Sequence, residues 1–163
     1  MIVDFFDSKC LTKMSAAEFG LRDGVNEEMA YVDFQNKNEW ICTVINDNKI
    51  EIEFRAIDKC VIALKENGDK EKSCDAMLTY GENIDFVELK NKRGEWITEG
   101  RLQLEKTIEL FDLHHGLNNF KHKRAFVANK KHPDFHVLEN ETMRRFFTKY
   151  KVRLNVEATI KIK

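Results

Sequence analysis

At 163 residues, with 42% hydrophobic and 34% charged residues and a single proline, the chain has the composition of one ordered globular domain spanning 1–163, which excludes disordered and fibrous classes. No apolar run approaches membrane-spanning length, and the opening "MIVDFFDSKC" sets acids among apolar residues with no basic leader, so a cytoplasmic protein without membrane contact is expected. A net charge of −1 excludes a molecule that is basic throughout.

In chain order, residues 1–30 contain "SAAEFGLRDG", which reads as a helical turn or two closed by glycine. "EWICTVI" and "KIEIEFRAI" flank the turn-forming triplet "NDN", and Ile50, Ile52 and Phe54 alternate with Glu51, Glu53 and Arg55, which predicts a hairpin with one wet face. "CVIALK" reads as a short buried strand followed by the charged loop "ENGDKEKS". "CDAMLTY" and "IDFVELKN" then predict two strands joined by a tight turn near Gly81, Glu82 and Asn83. Residues 97–116 form the clearest helix, with Ile97, Leu104, Ile108 and Phe111 near one stripe, Thr98 as N-cap and Gly116 as terminator. "RAFVAN" reads as a buried strand, "NETMRRFFTKY" as a short helix from Asn140, and "VRLNVEATIKI" as an alternating strand. This order predicts an α/β (α+β) fold, with one central mixed sheet flanked by helices. Cys10, Cys42, Cys60 and Cys74 lie far apart with no C-x-x-C pair, and read as buried free thiols.

Charge is unevenly spread. Residues 1–57 carry 6 Lys/Arg against 11 Asp/Glu and residues 58–119 carry 9 against 13, whereas residues 120–163 carry 12 against 4. A basic C-terminal quarter beside an acidic middle is the pattern of a phosphate-binding surface next to a cation site, or of two solvated faces of opposite sign. "NFKHKRAFVANKKH" interleaves basic and aromatic residues as a backbone-tracking surface does, through Lys121, Lys123, Arg124, Lys130 and Lys131.

The chemistry centres on Asp75, Glu88 and Lys90, three charges placed in the most strand-like stretch. Charges there are costly unless paired, exposed at a cleft or bound to a metal. Glu88 and Lys90, two apart on a strand, share a face. An even hairpin loop such as Glu82 and Asn83 sets Tyr80 opposite Asp85 and Asp75 opposite Lys90, on that same face; an odd loop sends Asp75 to the other face unless a bulge restores it. Two converging carboxylates call for a hard cation, Mg²⁺ or Mn²⁺, held by Asp75, Glu88 and the backbone carbonyl of Leu89. The plainer alternative is a Glu88–Lys90 surface ion pair.

The wider pattern, an acid followed 13 positions later by Glu-x-Lys at the end of an apolar strand and then a helix, resembles the PD-(D/E)XK phosphodiesterase superfamily, which includes restriction endonucleases. "AIDKCVI", "SCDAML", "DFVELKN" and "RLQLEKTI" in that order are similar to small bacterial members of it, with Cys74 where the familiar proline stands. The resemblance implies a restriction-endonuclease-like core over about 50–130, with a C-terminal helix and strand over 140–163. It makes Asp75 and Glu88 metal ligands, Lys90 the catalytic amine, Gln103 an auxiliary group and Asp58 a further acid. The upstream acid stays open among Glu51, Glu53 and Asp58, or is absent. The implied activity is Mg²⁺-dependent hydrolysis of DNA phosphodiesters by an endonuclease, with a homodimer among the assemblies the resemblance allows; a binding or assembly module that keeps the fold is the alternative.

Overall fold

The computed structural model describes residues 3–25, 28–61, 66–134 and 136–163. Along them run β1 (Leu11–Met14), β2 (Glu18–Arg22), β3 (Tyr31–Asp33), β4 (Cys42–Ile45), β5 (Ile52–Ala56), β6 (Ala76–Tyr80), β7 (Asn83–Lys90), α1 (Trp96–His115), β8 (His122–Asn129), α2 (Asn140–Tyr150), β9 (Arg153–Val156) and β10 (Thr159–Lys161). Two mixed sheets result: six strands in the order β1-β5-β6-β7-β8-β9, and four in the order β10-β4-β2-β3. The larger sheet is antiparallel from β1 to β7 and parallel across β7, β8 and β9. The fold is thus α+β, but with two sheets where one was expected. No helix among the described residues is long and apolar enough to cross a membrane.

Both faces of the larger sheet are buried, which explains the near-continuous apolar runs of β6 and β8. On one face α1 lies over β7 and β8, with the Phe86 and Phe111 rings meeting edge to face at 5.5 Å. On the other, Phe54, Leu78, Val87 and Phe126 belong to one continuous core with Phe19, Leu21, Val44 and Ile160 of the smaller sheet.

The smaller sheet accounts for three departures from the sequence reading. The stretch read as a helical turn forms β2, because Phe19 and Leu21 enter the core and a Cβ on Gly20 would overlap the Trp40 ring at 2.0 Å. β4 and β5 do not form a hairpin; they lie in different sheets. Asn46, fully buried between them, donates to the carbonyls of Ala16 and Ile50 at 3.2 and 2.9 Å, so the turn hands the chain from one sheet to the other. The alternating tail likewise splits at Glu157 and Ala158 into β9 and β10. The Ala158 amide donates to Pro133 and its carbonyl accepts from Thr43, which fixes that crossing.

Cys10 and Cys60 form a disulfide, while Cys42 and Cys74 are the buried free thiols that were expected of all four. Antiparallel pairing of β1 with β5 sets Leu11 opposite Arg55, so the turns outside those strands meet although 50 residues separate the cysteines. The strand read at 60–65 lies outside the described residues from 62 to 65. α1 begins at Trp96, with Glu95 in the left-handed region as N-cap in place of Thr98, and it ends at Gly116 as expected. The Trp96 indole stacks on His132 at 5.8 Å and holds that start in place.

Candidate functional site

β6 and β7 are joined by Gly81 and Glu82, an even loop, which is the alternative that sets Asp75 on the face of Glu88 and Lys90. The register is two residues tighter than expected: Tyr80 pairs with Asn83, and one further step along the ladder brings Asp75 opposite Glu88, not Lys90. Asp75, Glu88 and Lys90 therefore share the face on which α1 packs.

Helix α1 shapes this end of the sheet. A Cβ on Gly100 would stand 2.7 Å from Val127 Cγ1 and 3.5 Å from Glu88 Cγ, so only a glycine lets the helix lie so low over Glu88. Two turns on, Thr107 Oγ1 accepts the Cys74 amide at 2.7 Å and donates to the Gln103 carbonyl at 3.0 Å. With the Cys74 amide diverted to the helix, the backbone ladder stops, and the Leu89 amide donates instead to Asp75 Oδ2 at 2.8 Å. The Leu89 carbonyl projects from the same side of β7 as that amide.

Lys90 Nζ lies 3.1 Å from Glu88 Oε2 and donates to Gln103 Oε1 at 2.6 Å; Gln103 Nε2 donates to the Ser73 carbonyl at 3.4 Å. Gln103 thus links the Lys90 ammonium to the Ser73 carbonyl. The other Glu88 oxygen, Oε1, is buried and reached by no N–H or hydroxyl donor, which leaves the Asp75 carboxyl as the group with which Glu88 shares a proton. Side-chain exposure rises outward from Glu88 at 3% through Lys90 at 14% to Asp58 at 31%.

The electrostatics follow from depth. Burial pushes the Asp75 carboxyl up to about 7; the charge of Asp23 adds to the rise, while the Leu89 amide and a hydrogen bond with Glu88 oppose it. Glu88 is raised well above the usual carboxylate range by burial and then by Asp75, against the pull of Lys90. These two carboxyls with an orphaned oxygen match the oxygen donors a hard cation takes. Among the described residues no three His, Cys, Asp or Glu side chains form a ready cage, so a cation here would draw on Asp75, Glu88, the Leu89 carbonyl and water.

Sequence reasoning missed Asp23. It follows β2, and burial and the charge of Asp58 raise its carboxyl, against Lys59 and the Gly24 amide. Spacing offered no signal for it, because it arrives from the other sheet. Asp58 faces Lys70 Nζ and Ser73 Oγ, both at 3.5 Å, at the rim of the site. Glu51 and Glu53 are not part of it: Glu53 pairs with Arg55 at 2.9 Å, and both acids face Lys13.

The basic residues are divided. Lys130 and Lys131 follow β8 at the same end as Lys90, whose carbonyl accepts the Lys130 amide at 2.9 Å. Lys121, Lys123 and Arg124 lie at the other end of that eight-residue strand, about 23 Å away. Arg124 is engaged internally, bonding Asp85 at 2.8 and 2.9 Å and the Tyr80 hydroxyl at 2.8 Å. His115 is structural as well, accepting the Phe5 amide at 3.1 Å.

Comparison of the chain with protein-family models, with curated proteins and with solved structures found no match.

Proposed function

We propose that the protein is a metal-dependent nuclease that hydrolyses DNA phosphodiester bonds at a PD-(D/E)XK-type site. The observation that carries this reading is Glu88 Oε1, a buried carboxylate oxygen that no N–H or hydroxyl donor reaches, on a side chain set opposite Asp75 and beside Lys90. The order of elements supports it: β5, β6 and β7 form an antiparallel meander, α1 follows, and β8 returns parallel to β7. No α-helix precedes β5 among the described residues, so the superfamily's leading helix has no counterpart there.

Asp75, Glu88 and the Leu89 carbonyl would hold Mg²⁺ or Mn²⁺. When bound, such an ion supplies a water of lowered pKa and offsets negative charge on phosphorus. Lys90 presents an ammonium fixed by Gln103, placed to donate to a phosphate oxygen or to the attacking water. Asp23 and Asp58 add negative charge that favours a cation at the rim. Lys130 and Lys131, at the same end, would meet the flanking phosphates, Lys130 by exchanging its 3.3 Å pair with the exposed Glu39 for a phosphate. A cytoplasmic location fits DNA as substrate, although the Cys10–Cys60 disulfide is more typical of oxidising compartments.

A second reading, a binding or assembly module with a structural acid cluster, draws on the 3% exposure of the Glu88 side chain. Cleavage of plasmid and oligonucleotides with Mg²⁺ or Mn²⁺ separates the two. The nuclease reading expects cutting that falls at least about 100-fold in Lys90→Ala. Absence of cutting, together with no heat of Mg²⁺ or Mn²⁺ binding in calorimetry, establishes the module.

A further inference from the structure

At the end of the sheet remote from Glu88, a cleft of about 750 Å³ is lined by Lys121, Lys123, Arg124, Lys151, Arg153 and Lys163, against one acid, Glu82. Of these cations only Arg124 has an acidic partner among the described residues, Asp85. Arg124 and Arg153 are paired neighbours across β8 and β9, a like-charge juxtaposition that costs stability unless an anion covers it. Asp85 neutralises the first arginine and leaves the second facing the cleft. The wall formed by α2 adds Phe147, a residue 48% exposed, with the Lys151 ammonium 5.8 Å from its ring centroid.

A concave set of unneutralised cations around an exposed aromatic ring is the chemistry that holds a single strand, with phosphates on the ammonium and guanidinium groups and a base on the ring. We infer that this cleft binds a single-stranded segment of nucleic acid, at a site separate from the acid cluster. Lys121, Lys123, Lys151, Arg153 and Lys163 neutralise its phosphates, and Phe147 stacks on one base. A duplex keeps its bases inside and offers nothing to Phe147, so the ring sets the preference for unpaired strands. The inference extends the nucleic-acid reading above by naming the strand, and it is tested by binding alone.

The experiment is fluorescence anisotropy of the full chain with a labelled single strand of about 12 nucleotides in EDTA, over a series of salt concentrations. Lys151→Gln with Arg153→Gln is expected to weaken binding at least about tenfold and to flatten the logarithmic salt slope by about 1.4, the value for two lost phosphate contacts. Phe147→Ala is expected to weaken the single strand about fivefold or more and to leave a duplex of the same length unaffected. Unchanged affinity in the double variant overturns the inference. Equal losses for single strand, duplex and heparin with no effect of Phe147→Ala also overturn it, and leave an unspecific basic patch. Glu88→Gln, which disables the proposed cutting, is expected to bind the strand as the native chain does, so failure of the nuclease reading and failure of this one are told apart.

Discussion

Glu88 and Lys90, two residues apart on β7, form an ion pair at 3.1 Å in which one carboxylate oxygen is held by the ammonium and the other is reached by no N–H or hydroxyl donor. The pair is half satisfied, and it is buried, so its energetics depend on protonation. Lys90→Met removes the counter-charge and leaves Glu88 to stay neutral by keeping a proton. The variant should lose on the order of 1–3 kcal/mol at pH 8 and less at pH 5, because a carboxyl raised by burial takes up its proton as pH falls. Urea denaturation at the two pH values measures this. Equal losses at both would show that Lys90 contributes by packing and not by charge.

Asp75 gives the protein a specific pH dependence. Its folded carboxyl is raised to about 7 from an unfolded value of 3.8, so the folded chain binds the proton more tightly. Stability from this group is fully present below about pH 4 and is lost as pH rises towards 7. The shift of roughly 3 units sets an upper limit of about 4 kcal/mol. Asp75→Asn keeps an acceptor for the Leu89 amide and should flatten the decline between pH 4 and 7. Asp23→Asn should lower the Asp75 midpoint, which carboxyl NMR titration reads directly. An unmoved midpoint would remove Asp23 from the site.

Gly100→Ala tests how closely the helix must approach. Alanine favours a helix by about 1 kcal/mol over glycine in an open position. Here its Cβ would meet Val127 at 2.7 Å and Glu88 at 3.5 Å. Crowding should outweigh propensity, with a net loss of about 1–3 kcal/mol in thermal or urea unfolding. A more stable variant would mean that α1 can rise off the sheet freely.

Reduction of Cys10–Cys60 should destabilise the chain by about 2–4 kcal/mol, because the bridge closes a loop of 50 residues in the unfolded state. Cys10→Ser with Cys60→Ser should match the reduced native protein in guanidinium midpoint. The bridge follows directly after Asp58 and Lys59, so the reduced form should also show an altered Asp75 midpoint. If neither stability nor titration changes with reductant, the two turns are held by other contacts.

Much of the larger sheet was legible in the chain. β6, β7, α1, β8 and α2 each carry a pattern strong enough to read locally, and a side-chain period of 2 placed Glu88 and Lys90 on one face. The even loop placed Asp75 with them, and only the ladder decided that it meets Glu88. Gln103 was singled out only through the resemblance, and it is the fold that sets it against Lys90.

Local pattern could not say which surfaces a strand would find. β2, β4 and β10 look like a turn, half a hairpin and half a tail until they assemble into a second sheet, since alternation specifies a buried face and not a partner. The disulfide, Asp23 beside Asp75, and the separation of the basic residues to opposite ends of β8 all arise from contacts between distant segments. Residue type and period set which groups are buried and which share a face. Chain folding in three dimensions decided which charges meet, because Coulomb forces and desolvation depend on distance in space and not along the sequence.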